Sequence, residues 1–168
     1  MIGLFVASSA GGPMESRDEL EVGTLGVLGD RYAAGRGTWP GRPAREAGPE
    51  GGPGSGRAVT LIEEEAISAV RGDYGIDLPP GATRRNVVTR GVALNHLVGR
   101  PFRVGVVELL GVRLAEPCRH LEALTAAGVR RAFVHRGGLR ADVLSGGSVR
   151  VGDRLRVDDD PSGRRDIS

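Results

Sequence analysis

The sequence predicts a single β-rich α+β domain with a few short peripheral helices. Among 168 residues there are 28 glycines but only 3 Phe, 2 Tyr and 1 Trp, a mixture that suits turn-rich β structure better than a helical bundle. Apolar residues come in short runs cut by glycine, with little sustained helical periodicity. The length supports one domain with a substantial core and not two comfortable ones, so we assign one domain to 1–157 and a polar, fraying tail to 158–168.

The elements follow in chain order. Residues 2–6 form a β-type run, broken by Gly11-Gly12-Pro13 before an extended stretch over 20–28, which together predict a hairpin-like start. From 35 to 56 the chain is crowded with Gly, Pro and Arg and has almost nothing to bury, so a long mobile loop is expected. Thr60 and Glu63 match a capping box, predicting a helix that carries Ile62, Ala66 and Val70 on one face and stops near Gly72. Leu94, Leu97 and Val98 suggest a helical turn ended by Gly99, and 103–114 reads as a β run bent at Gly105 and Gly111. Leu121 and Leu124 are spaced for a short helix ended by Gly128, and a second apolar turn covers 129–134. Residues 139–144 and 148–157 alternate around Gly146-Gly147, a hairpin signal.

Composition removes several mechanisms. Lysine is absent, so a Schiff base to pyridoxal phosphate, a Walker A lysine and a lysine general base are all excluded. The 23 basic residues, all arginine, face 21 acids, and this near balance does not imply nucleic acid. No apolar run approaches a membrane span or a signal peptide, which leads us to expect a cytoplasmic protein without a membrane partner. A single cysteine forbids an internal disulfide and leaves Cys118 free for chemistry.

Cys118 stands in Glu116-Pro117-Cys118-Arg119-His120, where extended structure is expected to give way to helix. A helix start and Arg119 both favour thiolate, which can ligate a soft metal or carry sulfur as a persulfide. The competing reading is a small buried hydrophobe. Arg84-Arg85-Asn86 offers guanidiniums for phosphate and an amide for a heterocycle edge, but two adjacent arginines serve one ligand only if the backbone bends there; otherwise they are a solvated pair. Ser55-Gly56-Arg57 holds the parts of a phosphate contact without being a P-loop, and Gly29-Asp30-Arg31-Tyr32 is either a buried ion pair or a pocket wall. His120 either tunes the cysteine or caps the helix, and His96 reads as packing. The segment at His135-Arg136-Gly137-Gly138 either approaches the same site or is an ordinary turn. The three histidines have no zinc-binding spacing.

Taken together, the chain resembles the MOSC family, the domain found at the C-terminus of molybdenum cofactor sulfurases. The resemblance rests on Leu28-Gly29-Asp30-Arg31-Tyr32, Val59-Thr60-Leu61-Ile62-Glu63, Arg84-Arg85-Asn86, Leu97-Val98-Gly99-Arg100-Pro101-Phe102-Arg103-Val104-Gly105, Glu116-Pro117-Cys118, Arg136-Gly137-Gly138 and Val151-Gly152-Asp153. It implies a MOSC-type β-barrel like the pyruvate-kinase barrel domain, and a molybdenum cofactor (molybdopterin) held through Cys118 as metal ligand or sulfur carrier. It further implies pterin or phosphate contacts from Arg84, Arg85 and Asn86, to which the residue chemistry adds Ser55, Arg57 and His120.

Three functions follow as expectations. A reductase subunit would use molybdenum on Cys118 to reduce N-hydroxylated compounds, with electrons from a separate redox partner. A sulfur carrier or cofactor-delivery protein would cycle a Cys118 persulfide fed by a separate cysteine desulfurase. An RNA-binding barrel is disfavoured by the balanced charge and few aromatics.

Overall fold

Short valine- and leucine-rich runs build the scaffold, and their two-residue alternation decides which face each side chain joins. The computed structural model describes residues 1–34 and 56–157. The loop expected over 35–56, except Gly56, and the tail at 158–168 lie outside the described residues, as does Ser55. The described strands are β1 (Gly3–Val6), β2 (Glu15–Arg17), β3 (Glu19–Gly23), β4 (Gly26–Val27), β5 (Val59–Glu63), β6 (Val87–Thr89), β7 (Pro101–Val104), β8 (Val107–Leu114), β9 (Leu139–Ser145), β10 (Gly147–Arg150) and β11 (Leu155–Arg156). The helices are α1 (Glu64–Tyr74), α2 (Arg119–Leu124) and α3 (Val129–Ala132), with 3₁₀ turns at Pro80–Thr83 and Leu94–Leu97.

Eight strands form one curled sheet in the order β11-β7-β8-β9-β5-β6-β1-β2, a half-barrel, and β10-β3-β4 form a second sheet. The β-rich α+β expectation is therefore met, with few and short helices. The inner core joins Leu4, Leu61, Phe102, Leu109 and Leu139 from the large sheet to Leu20, Val22, Val27 and Val149 from the small one. Fully burying each such large side chain contributes about 1.5–3 kcal/mol. A second core lies on the outer face, where Ile62 and Val88 meet Ala66, Ile67, Val70, Leu121, Val129 and Phe133 of the helical layer. Covered on both faces, β5 has four of its five residues buried and pairs in parallel with β6 through the α1 crossover.

Several local expectations are corrected. Thr60 and Glu63 do not form a capping box: both lie in β5, and the helix begins at Glu64. The run over 59–62, β-branched at all but Leu61, is held between β6 and β9, and the Glu63 carboxylate instead accepts from the Leu94 amide at 2.5 Å. The helix passes Gly72 and ends at Gly75, whose φ of 66° closes it in the left-handed conformation. Gly128 does not end α2, which stops at Leu124, but precedes α3. Nor do β9 and β10 make a hairpin: β9 pairs with β5 and β8, whereas β10 crosses to β3 and β11 to β7. Gly146 permits that departure, because a Cβ there would stand 2.4 Å from the Val22 carbonyl oxygen. The hairpin expected between residues 2–6 and 20–28 does not form: β1 pairs with β2 at Glu15–Arg17, and residues 19–27 supply the small sheet.

Gly105 turns β7 into β8, while Gly111 sits inside β8 beside a break in its register with β9. A Cβ on Gly111 would lie 2.0 Å from the Leu97 carbonyl oxygen, so backbone must move to admit it. Gly111→Ala is expected to cost about 2–3 kcal/mol, the scale of overpacking a filled interior, visible as a lower urea midpoint. An unchanged midpoint would contradict this close contact.

Candidate functional site

The site lies on the outer face of the sheet, beside the helical layer. Thr60 shares the face of Ile62, two residues on in β5, and Arg140 stands opposite Thr60 in β9. Asn86 joins the strand ends just before β6. Its Oδ1 accepts from the Thr60 amide at 3.1 Å and from the Thr60 hydroxyl at 2.9 Å, and its Nδ2 donates to Asp30 at 3.1 Å and to the Phe5 carbonyl at 3.3 Å. The Asn86 amide is thus engaged within the protein. Asp30, 3% exposed, also accepts from the Ala7 and Tyr32 amides, fixing the 30–32 turn against β1.

Both readings of Gly29-Asp30-Arg31-Tyr32 are realised. Asp30, Arg31 and Tyr32 line the cleft, and Arg31 is also buried near Asp30, 4.0 Å away, over the Tyr32 ring. The bend required to bring Arg84 and Arg85 together is present. Arg84 follows the Pro80–Thr83 turn with φ 62°, a left-handed conformation uncommon outside glycine, and both arginines line the same cleft.

Their surroundings differ. Arg85 is only 8% exposed and donates to three carbonyls, through Nε to Gly137 at 2.9 Å, Nη1 to Thr83 at 3.2 Å and Nη2 to Ala115 at 2.8 Å. Burial, with nearby Arg140, pushes its pKa down to about 10, which still leaves it charged at neutral pH. Arg84 donates through Nη1 to the Gly12 carbonyl at 2.7 Å, but its Nη2 is buried without a protein partner. Burial and the neighbouring Arg31 lower its pKa from the usual arginine value.

Cys118 ends the extended segment after β8 and immediately precedes α2, in the predicted strand-to-helix junction. Its residue is exposed, which sets aside the buried-hydrophobe reading. The Gly137-Gly138 turn fixes the approach: Ala115 N donates to the Gly138 carbonyl, and a Cβ on Gly137 would meet the Ala115 oxygen at 2.3 Å. The 135–138 segment therefore braces the cysteine from behind rather than lining the cleft. The His135 ring instead bonds Glu116 at 3.0 Å. His96, expected in the packing, is exposed.

Cys118, Arg84, Arg85, Asn86 and His120 thus meet in one cleft, together with Asp30, Arg31, Tyr32, Thr60, Leu121 and Arg140. The cleft is small, about 70 Å³, and opens to solvent. Four arginines face one carboxylate among these lining residues, so the cleft carries an excess of positive charge. Burial and the Arg84 and Arg31 charges lower the pKa of His120, favouring the neutral imidazole. Arg140 is likewise lowered, chiefly by burial. Arg57, half-buried, is not among the lining residues but lies near enough for its charge to act on Arg140.

Arg31 and Arg140 were not singled out as ligand contacts from sequence, and Thr60 was assigned to a cap. Arg140 occupies one polar position of an alternating strand, and alternation alone does not say which polar position faces a cleft. Among the described residues no group of three or more His, Cys, Asp or Glu is arranged to hold a metal ion. Among the same residues no helix is long and apolar enough to cross a membrane.

Comparison with known proteins agrees with this architecture. The MOSC domain model matches residues 47–156. Among solved structures, the YuaD protein from Bacillus subtilis superposes with a TM-score of 0.75 at 20% identity, covering 92% of both chains. YiiM from Geobacillus stearothermophilus gives a TM-score of 0.68 at 14% identity, over 96% of this chain and 76% of that one. YiiM from Escherichia coli gives 0.63 at 16% identity, over 95% and 71% respectively. At these identities the likeness establishes the fold. No curated protein matches the sequence. With the family model covering well over half its length, and the same fold in these structures, the chain belongs to the MOSC domain family.

Proposed function

We propose that this protein binds molybdenum cofactor in the arginine-lined cleft, with Cys118 as the protein's ligand to the metal, and serves as the reducing subunit for N-hydroxylated compounds. MOSC domains are associated with this cofactor, an anionic pterin carrying a phosphate and its own two sulfur donors. The single observation that carries the reading is an exposed cysteine sharing a cleft with Arg31, Arg84, Arg85 and Arg140, where Arg84 Nη2 is a buried donor still lacking an acceptor. A buried donor without a partner costs about 1–3 kcal/mol, a cost that an anionic oxygen would relieve. The residue set fits the group: one soft ligand for a metal that brings the others, and guanidiniums for its phosphate.

When bound, the cofactor would supply two-electron oxygen-transfer chemistry. The net reaction converts R–NHOH to R–NH₂ and water, consuming two electrons from a separate redox protein and two protons. The chain's own residues would orient and neutralise. Arg31, Arg84 and Arg140 would hold the anion, while Arg85, with three donors committed to backbone, holds the frame that carries Cys118. His120, neutral and beside Arg84 in the cleft, would accept or relay a proton. The test is reduction of benzamidoxime by cofactor-loaded protein supplied with reduced viologen. Formation of benzamidine supports the reading, and loaded protein without turnover opposes it.

The exposure of Cys118 also favours a second reading, a sulfur carrier. Its thiolate would attack the outer sulfur of a donor persulfide, yielding Cys118–S–SH and the donor thiol. Arg84→Asn separates the side chain's role from its backbone, because asparagine tolerates the left-handed conformation. We expect the variant to fold and to retain about a tenth or less of the wild-type cofactor after gel filtration. Undiminished retention would remove Arg84 from the anion site.

A further inference from the structure

The cations of the cysteine cleft are poorly compensated within the protein. The hydrogen-bond acceptors of Arg84 and Arg85 are carbonyl oxygens, which satisfy a donor but carry no countercharge. Asp30, the one carboxylate among the lining residues, already accepts from the Ala7 and Tyr32 amides and from Asn86 Nδ2. Arg84 Nη2 is buried with no acceptor among the described residues. Arg57 and Arg113, neither of them lining the cleft, add their charges at Arg140, so the positive field extends beyond the walls.

Size narrows the ligand. Liquid water takes about 30 Å³ per molecule, so the cleft, at about 70 Å³, suits a tetrahedral oxyanion. The sulfur lies within reach of the same field. Burial lowers the pKa of Arg85 and Arg140, and the charge of a Cys118 thiolate opposes that shift in each, which places it close enough to act on both guanidiniums. In water a thiolate and an anion repel each other, whereas guanidiniums beside both offset the repulsion. An anion that uses every part of this cleft carries an oxyanion head for the arginines and a sulfur that a thiolate can attack.

We propose that, in its cofactor-free form, this protein is a sulfurtransferase acting on thiosulfate, with Arg31, Arg84 and Arg140 holding the sulfonate while Cys118 takes the outer sulfur. The Cys118 thiolate attacks that sulfur, a new S–S bond forms, the S–S bond of thiosulfate breaks, and its electron pair leaves with sulfite. The products, Cys118–S–S⁻ and SO₃²⁻, carry the same total charge as the reactants. Cyanide then removes the outer sulfur as thiocyanate and restores the thiolate, so no outside oxidant or reductant is needed. The proposal goes beyond the cofactor reading and rests on the sulfur-carrier reading for its persulfide.

Full-length protein from a host that lacks molybdenum cofactor should release sulfite from thiosulfate in step with cyanide-dependent thiocyanate. Before cyanide is added, mass analysis should find one added sulfur on Cys118. Cys118→Ser should release no sulfite. Arg140→Gln and Arg84→Asn, each with its fold checked by urea midpoint, should raise KM for thiosulfate about tenfold, as expected for loss of a charge-assisted contact. Added salt should lower kcat/KM. No sulfite at any thiosulfate concentration, or an unchanged KM in both arginine variants, overturns the proposal. An alkyl persulfide, which has no sulfonate, separates the two readings: if it loads Cys118 in protein that ignores thiosulfate, the carrier survives and the proposal alone fails. Thiosulfate turnover by protein that takes up no molybdenum in a cofactor-making host supports the proposal and overturns the cofactor reading alone.

Discussion

Replacing Cys118 with serine is expected to leave the fold intact and strip the protein of molybdenum. The side chain is exposed and precedes α2 without contributing a side-chain cap, so its loss should change stability by about 0.5 kcal/mol or less. Its chemistry is another matter. A serine hydroxyl remains protonated at neutral pH and is a hard donor, whereas a thiolate suits a soft, sulfur-bound metal. Metal content in Cys118→Ser should fall about tenfold or more at an unchanged urea midpoint. Equal loading in the two proteins would leave the arginines as the whole of the binding site and remove the metal ligand from the account.

The second large effect is expected at Arg85, by a different route. Its three hydrogen bonds tie the Thr83 carbonyl before β6, the Ala115 carbonyl on the segment leading to Cys118, and the Gly137 carbonyl of the bracing turn. Arg85→Ala removes all three donors and leaves a void in a buried position. With each stranded acceptor costing about 1–3 kcal/mol and some relief from entering water, a net loss of about 3 kcal/mol is expected. Cofactor retention should fall with it, because the cysteine approach loosens. Arg85→Lys discriminates a frame from a charge. A lysine keeps the positive charge but cannot reproduce a planar fork reaching three carbonyls. The frame account predicts that Arg85→Lys remains destabilised and poorly loaded. Wild-type stability and loading in that variant would return Arg85 to a purely electrostatic role.

The sequence made the chemistry easier to see than its support. Cys118, Arg84 and His120 were legible because few residue types can bind a soft metal, hold phosphate or move a proton, and the structure gathers all three in one cleft. Whether the two arginines could share that cleft turned on one backbone angle, the left-handed φ of Arg84, which a sequence does not reveal. Arg31 and Arg140 were hidden for a related reason: their function depends on cross-strand registry, and Arg140 reaches the site because it pairs with Thr60. Thr60 itself misled. Its spacing from Glu63 satisfies a local helix-start pattern, yet pairing on both edges of β5 outweighs a cap that contributes about 1 kcal/mol. The Gly146-Gly147 hairpin failed similarly, because local alternation cannot distinguish pairing with the preceding strand from pairing with β3, distant in sequence. Asn86 was visible as a polar residue beside two arginines, but its four side-chain partners come from three separate parts of the chain.

The most direct test of the central claim is elemental and mass analysis of protein purified without oxygen from a host that makes molybdenum cofactor. The account predicts near-stoichiometric molybdenum with a releasable pterin, and an unmodified Cys118 once the cofactor is removed. Protein with no molybdenum, and a Cys118 heavier by one sulfur atom, would contradict it and assign the chain to sulfur transfer instead.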